Sequence, residues 1–377
     1  MDTTTSFPPA TRALVDLTAF RQNLDAVRSY VGPSVKILAV VKANAYGHGA
    51  RRMASEAVRW GVDYLGVARI HEAVELRMSG VTLPILVFEV APVEQVQVAI
   101  EQEIDLTVVT TEGARLLQDV ASRLGKKAVV HVKIDTGMGR LGLPHELAPD
   151  AISRIARLSA LHLAGVYSHF ATSEDPDPGF ADLQIDRFDR ALQGLRGKGV
   201  EVPLKHMANS GAIIAHPASH FDMVRPGIML YGYPPAPGMP ERFPVRPVMA
   251  LVSRVAFLKT VDAGTSISYG LRYTTSARAR IATVPAGYAD GYPRLLTGRA
   301  EALIRGRRYP VVGTICMDQL MIDVGDAEDV AEGDVVTLMG KDGEEAITAW
   351  DIGSKIGTIP YEVTCLITPR VLRVFLK

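Results

Sequence analysis

The sequence predicts an α/β protein in which an N-terminal (β/α)8 TIM-type barrel is followed by a C-terminal mainly-β domain. Three observations carry that expectation. Between residues 35 and 231, short apolar runs alternate with stretches whose apolar residues recur at helical spacing, the pattern of βα units around a parallel sheet. Beyond residue 231 the helical periodicity nearly disappears, and short β-branched runs separated by glycine or acidic turns replace it. A chain of 377 residues is long enough for two domains, each burying its own core.

In chain order, residues 12–16 read as a short strand and 19–30 as a helix. Eight apolar runs follow, at 37–41, 64–67, 85–88, 106–109, 129–134, 163–167, 202–205 and 222–230. Between them, stretches such as 50–60, 113–124 and 178–196 carry one charged and one apolar face. Eight such units suggest a closed barrel, whose active sites lie at the C-terminal ends of the strands. An open, doubly wound sheet fits the alternation but not the strand count. The stiff run Pro234-Pro235-Ala236-Pro237-Gly238-Met239-Pro240 marks a boundary, giving a barrel over 1–240 and a β domain over 241–377. In the second domain, strands are expected at 249–260, 280–285, 301–304, 309–312, 319–324, 334–338 and 371–375, with 348–355 as the one good helix.

Composition narrows the partners. The 41 basic and 41 acidic residues leave no net field, so nothing points to nucleic acid or an anionic membrane, and a small ligand is expected. Two cysteines are too few for a disulfide framework, and the 9 histidines fall at no ligand spacing, so no metal is expected. Residues 1–10 lack a signal-peptide apolar core and read as a frayed leader, and no later run approaches a bilayer span. A reducing cytoplasm fits.

Lys42 closes the apolar run 37–41 and opens into a glycine-bearing loop. An amine where a buried strand meets a loop is partly stripped of water, which disfavours its ammonium form and leaves a nucleophile toward carbonyl carbon. A solvated surface lysine is the other reading of that position. The stretch Val41-Lys42-Ala43-Asn44-Ala45-Tyr46-Gly47-His48-Gly49 resembles the pyridoxal-phosphate lysine motif of the alanine racemase family at every position. The resemblance continues in family order through Lys133-Ile134-Asp135-Thr136-Gly137-Met138-Gly139-Arg140, Ser168-His169-Phe170, Ala208-Asn209-Ser210, Val224-Arg225-Pro226-Gly227-Ile228, Ser268-Tyr269-Gly270, Gly287-Tyr288-Ala289-Asp290-Gly291-Tyr292 and Cys316-Met317-Asp318-Gln319.

What the resemblance implies is specific: pyridoxal 5'-phosphate as cofactor, and two-base interconversion of L- and D-alanine, supplying D-alanine for peptidoglycan. Lys42 would hold the cofactor and serve one face of the substrate, and Tyr269 of a partner subunit the other, so a homodimer with shared sites is implied. Tyr46, Asn209, Ser210, Gly227, Ile228 and Tyr361 would bind the phosphate. Arg225 would point at the ring nitrogen and, being a donor only, would keep that nitrogen neutral and limit transamination. His169 would link Arg225 to Tyr269. Arg140 and the Met317 backbone would bind cofactor oxygen and substrate carboxylate, with Lys133 as a possible carbamate orienting Arg140. His206, Tyr288 and Asp318 would support these groups, and Tyr288, Tyr292 and Tyr361 would narrow the entrance. The resemblance also implies that residues before about 17 pair with the C-terminal domain. A related barrel decarboxylase would want an acidic partner where Arg225 stands, and a non-catalytic cofactor carrier would not need the second domain. A racemase of broader specificity differs only in pocket size.

Overall fold

A computed structural model describes residues 9–236, 238–239 and 243–377. Most of the expected leader, and Pro237 and Pro240 of the expected linker, lie outside these. Among the described residues two compact units form, one from residues 20–45 and those from 50 to 246, the other from residues 9–19, 46–49 and 247–377.

The larger unit is a closed parallel barrel. Its eight strands are Lys36–Val40, Tyr64–Val67, Ile85–Val90, Asp105–Val108, Ala128–Asp135, Leu161–Tyr167, Leu204–His206 and Met223–Val224. Each pairs in parallel with the next, and the ring shuts where Met223–Val224 meets Lys36–Val40. Helices such as Ala50–Arg59, Thr111–Arg123 and Gly179–Gly197 return the chain between strands. Leu38, Leu65, Leu86, Leu106, Val130 and Val166 are fully buried, and each such side chain removed from water stabilises by about 1.5–3 kcal/mol before chain entropy is set against it.

The eighth strand is much shorter than the apolar run 222–230 suggests. Pro226 has no N–H to give to a ladder, and Ile228–Tyr231 coils into a 3-10 turn instead. Apolar character continues there because the turn is buried, not because it is extended.

In the smaller unit ten strands share one sheet. Arg12–Asp16 runs antiparallel to Met249–Arg254 and parallel to Leu372–Leu376. The run expected as one strand at 249–260 is two, Met249–Arg254 and Phe257–Val261. The Val255 N–H donates to Asp334 O and the Ala256 N–H to Thr283 O, so the chain changes neighbours between them. Besides the helix Ala349–Ile356, a second helix, Pro360–Leu366, is present. Proline at its start presets the backbone, and seven residues are too few to display a helical period.

Candidate active site

Lys42 stands just past the C-terminal end of the first barrel strand, half-buried, on a backbone that few sequences adopt. Ala43, Asn44, Ala45 and Tyr46 have φ of 52°, 54°, 54° and 53°, a left-handed turn built without glycine. Such residues each cost about 1–2 kcal/mol, so the turn must be held from outside. Glu72 holds it: one carboxylate oxygen accepts the Ala43 N–H at 2.6 Å, and the other accepts the N–H groups of Ala68 and Arg69 at 2.8 and 3.0 Å. The Asn44 side chain accepts the Ala50 N–H at 2.8 Å, and the Ala45 N–H donates to Val41 O at 2.9 Å. Glu72→Ala is expected to lose about 1–3 kcal/mol of stability, because three backbone donors lose a charged acceptor. A denaturant midpoint unchanged by the substitution would contradict that role.

Around the mouth of the barrel, Lys133 sits two residues before the end of its strand and His169 and Arg225 just past the ends of theirs, and their electrostatics are mutual. Lys133 is buried and its amine is pushed down to about 8, first by loss of water and then by Arg140 and Arg225. Asp135 acts in the opposite sense. His169 is held well below the ordinary imidazole range by burial, then by Arg225, Lys133, Arg140 and Lys42. A cluster of cations with so little counter-charge is suited to an anionic ligand. Arg140 itself is exposed, on a loop whose Gly137 and Gly139 N–H groups donate to the Asp135 carboxylate.

Arg225 is buried, and burial pushes its guanidinium down to about 10, still cationic at neutral pH. Its Nη1 donates to His206 Nδ1 at 3.1 Å; the two hydrogens of its Nη2 are shared among Ser168 O at 2.7 Å, Met207 O at 2.9 Å and His169 Nδ1 at 3.1 Å. No hydrogen bond among the described residues uses its Nε–H, which is left for a ligand. Guanidinium can only donate, so the His169 proton resides on Nε2, the ring edge turned away from Arg225.

Of the expected phosphate cradle, Asn209 caps the short helix Ser210–Ala215 by accepting the Ala212 N–H at 2.9 Å. Buried Ser210 takes the Gly227 N–H at 2.9 Å, so within this unit that amide already has a partner. Ile228 is buried beside it in sequence.

The smaller unit carries the remaining residues. Tyr269 is 73 % exposed on a strained loop, with Ser268 at φ 69° and ψ −177°, a region otherwise used by glycine. The strain is clamped twice: Ser268 Oγ donates to Thr314 O and Thr314 Oγ1 donates to Tyr269 O, each at 2.7 Å. Gly313 lies so close that a Cβ would come within 2.7 Å of Ile267 O. The Met317 carbonyl accepts the Ala289 N–H at 3.0 Å, while its own N–H has no partner among the described residues. Asp318 pairs with Arg370 at 2.9 Å, and Arg370 also holds Asp290 at 3.0 Å, so Asp318 braces this loop. Tyr288 is 40 % exposed, whereas Tyr292 is buried and is core in this unit, not a surface that narrows an entrance. Tyr46 and Tyr361 lie with ring centroids 6.0 Å apart, and burial pushes the Tyr46 phenol up, helped by Tyr361.

Glu72 and Thr314 have structural roles here that the motifs did not reveal: Ala43 lies 29 residues from Glu72 and Ser268 lies 46 from Thr314, and a helical glutamate carries no local sign of what it touches. Among the described residues no group of histidine, cysteine and carboxylate side chains could hold a metal ion.

Residues 15–235 match the family described as alanine racemase, N-terminal domain, and residues 248–375 match alanine racemase, C-terminal domain. An alanine racemase of Methanococcus maripaludis is 44 % identical over 97 % of this chain and 98 % of its own. The solved alanine racemase of Clostridium difficile 630 superposes with a TM-score of 0.94 at 40 % identity, covering 99 % of this chain and 96 % of the other. An alanine racemase from Bartonella henselae, solved with covalently bound pyridoxal phosphate, gives a TM-score of 0.87 at 28 % identity, over 98 % of this chain and all of its own.

Proposed function

The chain belongs to the alanine racemase family, and from that premise we infer that it interconverts L- and D-alanine using pyridoxal 5'-phosphate held at Lys42. The observation that carries the reading is Arg225: a buried, permanently protonated donor with its Nε–H to spare, at the mouth of a barrel ringed by cations. Pyridoxal phosphate, when bound, supplies a conjugated ring that withdraws electrons from the substrate's α-carbon. The residues fit such a group. Lys42 would offer the amine, Lys133, Arg140 and Arg225 the positive surroundings, and Ser210, Asn209 and the Ile228 backbone polar groups for a phosphate, which the Gly227 N–H would join once Ser210 releases it; the Tyr46 and Tyr361 hydroxyl groups are assigned to the phosphate by the family likeness alone.

Arg225 would donate through its Nε–H to the cofactor's ring nitrogen and, unable to surrender a proton readily, would leave that nitrogen neutral. Lys42 takes or returns the α-proton on one face. Tyr269 of the partner subunit does so on the other, where the His169 Nε2–H stabilises its phenolate by donating to it. Arg140 and the unpartnered Met317 N–H bind the substrate carboxylate, and His206, Tyr288 and Asp318 support these groups. Purified protein should be yellow and should wash deuterium from the α-carbon of either enantiomer of alanine. A colourless protein that exchanges neither would sink the reading. The same assay with bulkier amino acids separates a racemase of broader specificity.

The exposed Tyr269, Leu271 and Met317 support a homodimer in which each smaller unit completes the partner's barrel. Mixing unfolded Lys42→Ala and Tyr269→Phe chains and refolding them should restore about a quarter of wild-type activity, since half the dimers are hybrids with one intact site. No recovery from two inactive parents would exclude shared sites. Lys133 supports a carbamate, because only the neutral amine captures carbon dioxide and its protonation falls away above about 8. With 13C-bicarbonate, a carbamate carbon signal should grow as pH rises through that value and vanish in Lys133→Gln; a signal unaffected by the substitution would place it elsewhere. Among the described residues no helix is long and apolar enough to cross a membrane, and the two cysteines suit a reducing cytoplasm.

A further inference from the structure

The interior of a (β/α)8 barrel is ordinarily filled by branched aliphatic side chains. Here a polar column runs through it. Beyond Arg225, the other ring nitrogen of His206, Nε2, lies 3.0 Å from His131 Nδ1, and His131 Nε2 lies 3.4 Å from Asp105 Oδ2. Both histidines are fully buried and Asp105 is 4 % exposed, at the first residue of its strand, the end of the barrel opposite the mouth. His131 Nε2 and Asp105 Oδ2 have no hydrogen-bond partner among the described residues, so this long contact is the one each makes with the other, and burial and then Asp105 push the nearby Tyr64 phenol up. The column has been given room: a Cβ on Gly165 would stand 2.5 Å from His131 Nδ1. It also has walls, since the Tyr167 ring stacks on His206 at 4.9 Å and 5°, with the Arg225 guanidinium 5.5 Å from the same ring.

The proton positions along this column follow from its two ends. Guanidinium only donates, so His206 Nδ1 must be bare and its proton must sit on Nε2. That proton points at His131 Nδ1, which must therefore be bare as well, placing the His131 proton on Nε2. There it meets a carboxylate, which only accepts. Reversing the column would set an N–H of His206 against an N–H of Arg225, and it would leave Asp105 facing a bare nitrogen. A buried donor or acceptor left without a partner weakens such a network by about tenfold or more in an equilibrium constant.

We propose that Asp105 and His131 are positioning residues for Arg225, holding His206 as the Nε2–H tautomer so that its Nδ1 permanently accepts from the guanidinium. The consequence rests on the reading of Arg225 as the partner of the cofactor's ring nitrogen. Held on one side by His206 and on the other by His169, the guanidinium cannot turn its Nε–H away from the ligand. Asp105 and His131 touch neither substrate nor cofactor and act only through this chain of bonds.

The test is solid-state 15N spectroscopy of the holoenzyme labelled at histidine, with His206 and His131 assigned by the loss of their signals in His206→Gln and His131→Leu. Wild type should show one protonated nitrogen, Nε2, on each ring. Asp105→Leu removes the terminal acceptor and should populate a second His206 environment while raising the dissociation constant for pyridoxal phosphate about tenfold. Asp105→Asn, whose amide oxygen still accepts, should restore both. A His206 proton found on Nδ1 in wild type overturns the proposal. So does an Asp105→Leu protein that melts earlier but keeps the wild-type tautomer and cofactor affinity, which would make Asp105 a brace for the barrel floor alone. Should Asp105→Leu fail to fold, Asp105→Ser, whose shorter side chain no longer reaches His131, is read in its place: a shifted His206 tautomer with weakened cofactor binding supports the proposal, and wild-type values of both overturn it. Failure of the racemase reading would show separately, as wild-type protein that racemises no alanine whatever its tautomers.

Discussion

Replacing Tyr269 with phenylalanine is expected to slow racemisation by about 10³-fold, the size of a lost general acid–base group, while leaving cofactor binding intact. The loss must be equal in the two directions, because enantiomers have the same free energy and the ratio of forward to reverse kcat/KM is fixed at unity. The asymmetry appears in exchange instead. The enantiomer whose α-proton is taken by Lys42 should still lose deuterium to solvent without inverting, and its mirror image should lose almost none. Phenylalanine fits the same 73 % exposed position, and the Ser268 and Thr314 clamps act through backbone carbonyls, so the loop geometry survives. Equal and small losses of exchange from both enantiomers would remove Tyr269 from the role of face-specific base.

That prediction depends on a loop whose function was visible in the sequence and whose construction was not. Ser268-Tyr269-Gly270 stands out through its resemblance, but the positive φ at Ser268 and its bonds to Thr314 join residues 46 positions apart. The same division runs through the barrel. Strand and helix alternation fixes eight units because burial against a common core imposes the two periods on every one of them. It cannot fix where the eighth strand stops, since a buried 3-10 turn is as apolar as a buried strand, and only Pro226 hints at the end. Nor can it show that residues 46–49 cluster with the C-terminal unit. Gly47 makes that possible, for a Cβ there would stand 2.1 Å from Thr364 O.

The site divides in the same way. Residues that touch a ligand directly occur in contiguous motifs, because a loop at a strand end delivers several of them at once. Residues that orient them occur singly. Glu72 is one glutamate on a helix, yet it holds the left-handed turn that follows Lys42. His131 sits two positions before Lys133 on one strand, and successive inward positions of that strand serve the tautomer column and the cation cluster respectively. Nothing in a single sequence distinguishes His131 from an ordinary core histidine; its partner His206 lies 75 residues away.

Lys42→Ala is expected to reduce racemisation by at least about 10³-fold and to leave pyridoxal phosphate exchangeable, because the amine that both anchors the cofactor and moves a proton is gone. Lys133 is the rival. Its amine is pushed down to about 8, which by acidity alone would recommend it as the nucleophile. Packing argues otherwise: Lys133 is 4 % exposed, with its nitrogen 5.6 Å from the centre of the Tyr167 ring and two arginines bearing on it, so a bulky aldehyde has little approach. Lys42 is half-buried on a turn whose strain fixes the lysine's departure from the strand. Borohydride reduction followed by peptide mass analysis should place the cofactor on the peptide containing residue 42 in wild type and on no peptide of Lys42→Ala. Added methylamine should recover part of the lost rate, since a small amine can enter the space the side chain vacates. Cofactor recovered on the peptide containing Lys133 would reverse the assignment, making Lys133 the anchor and Lys42 an auxiliary charge.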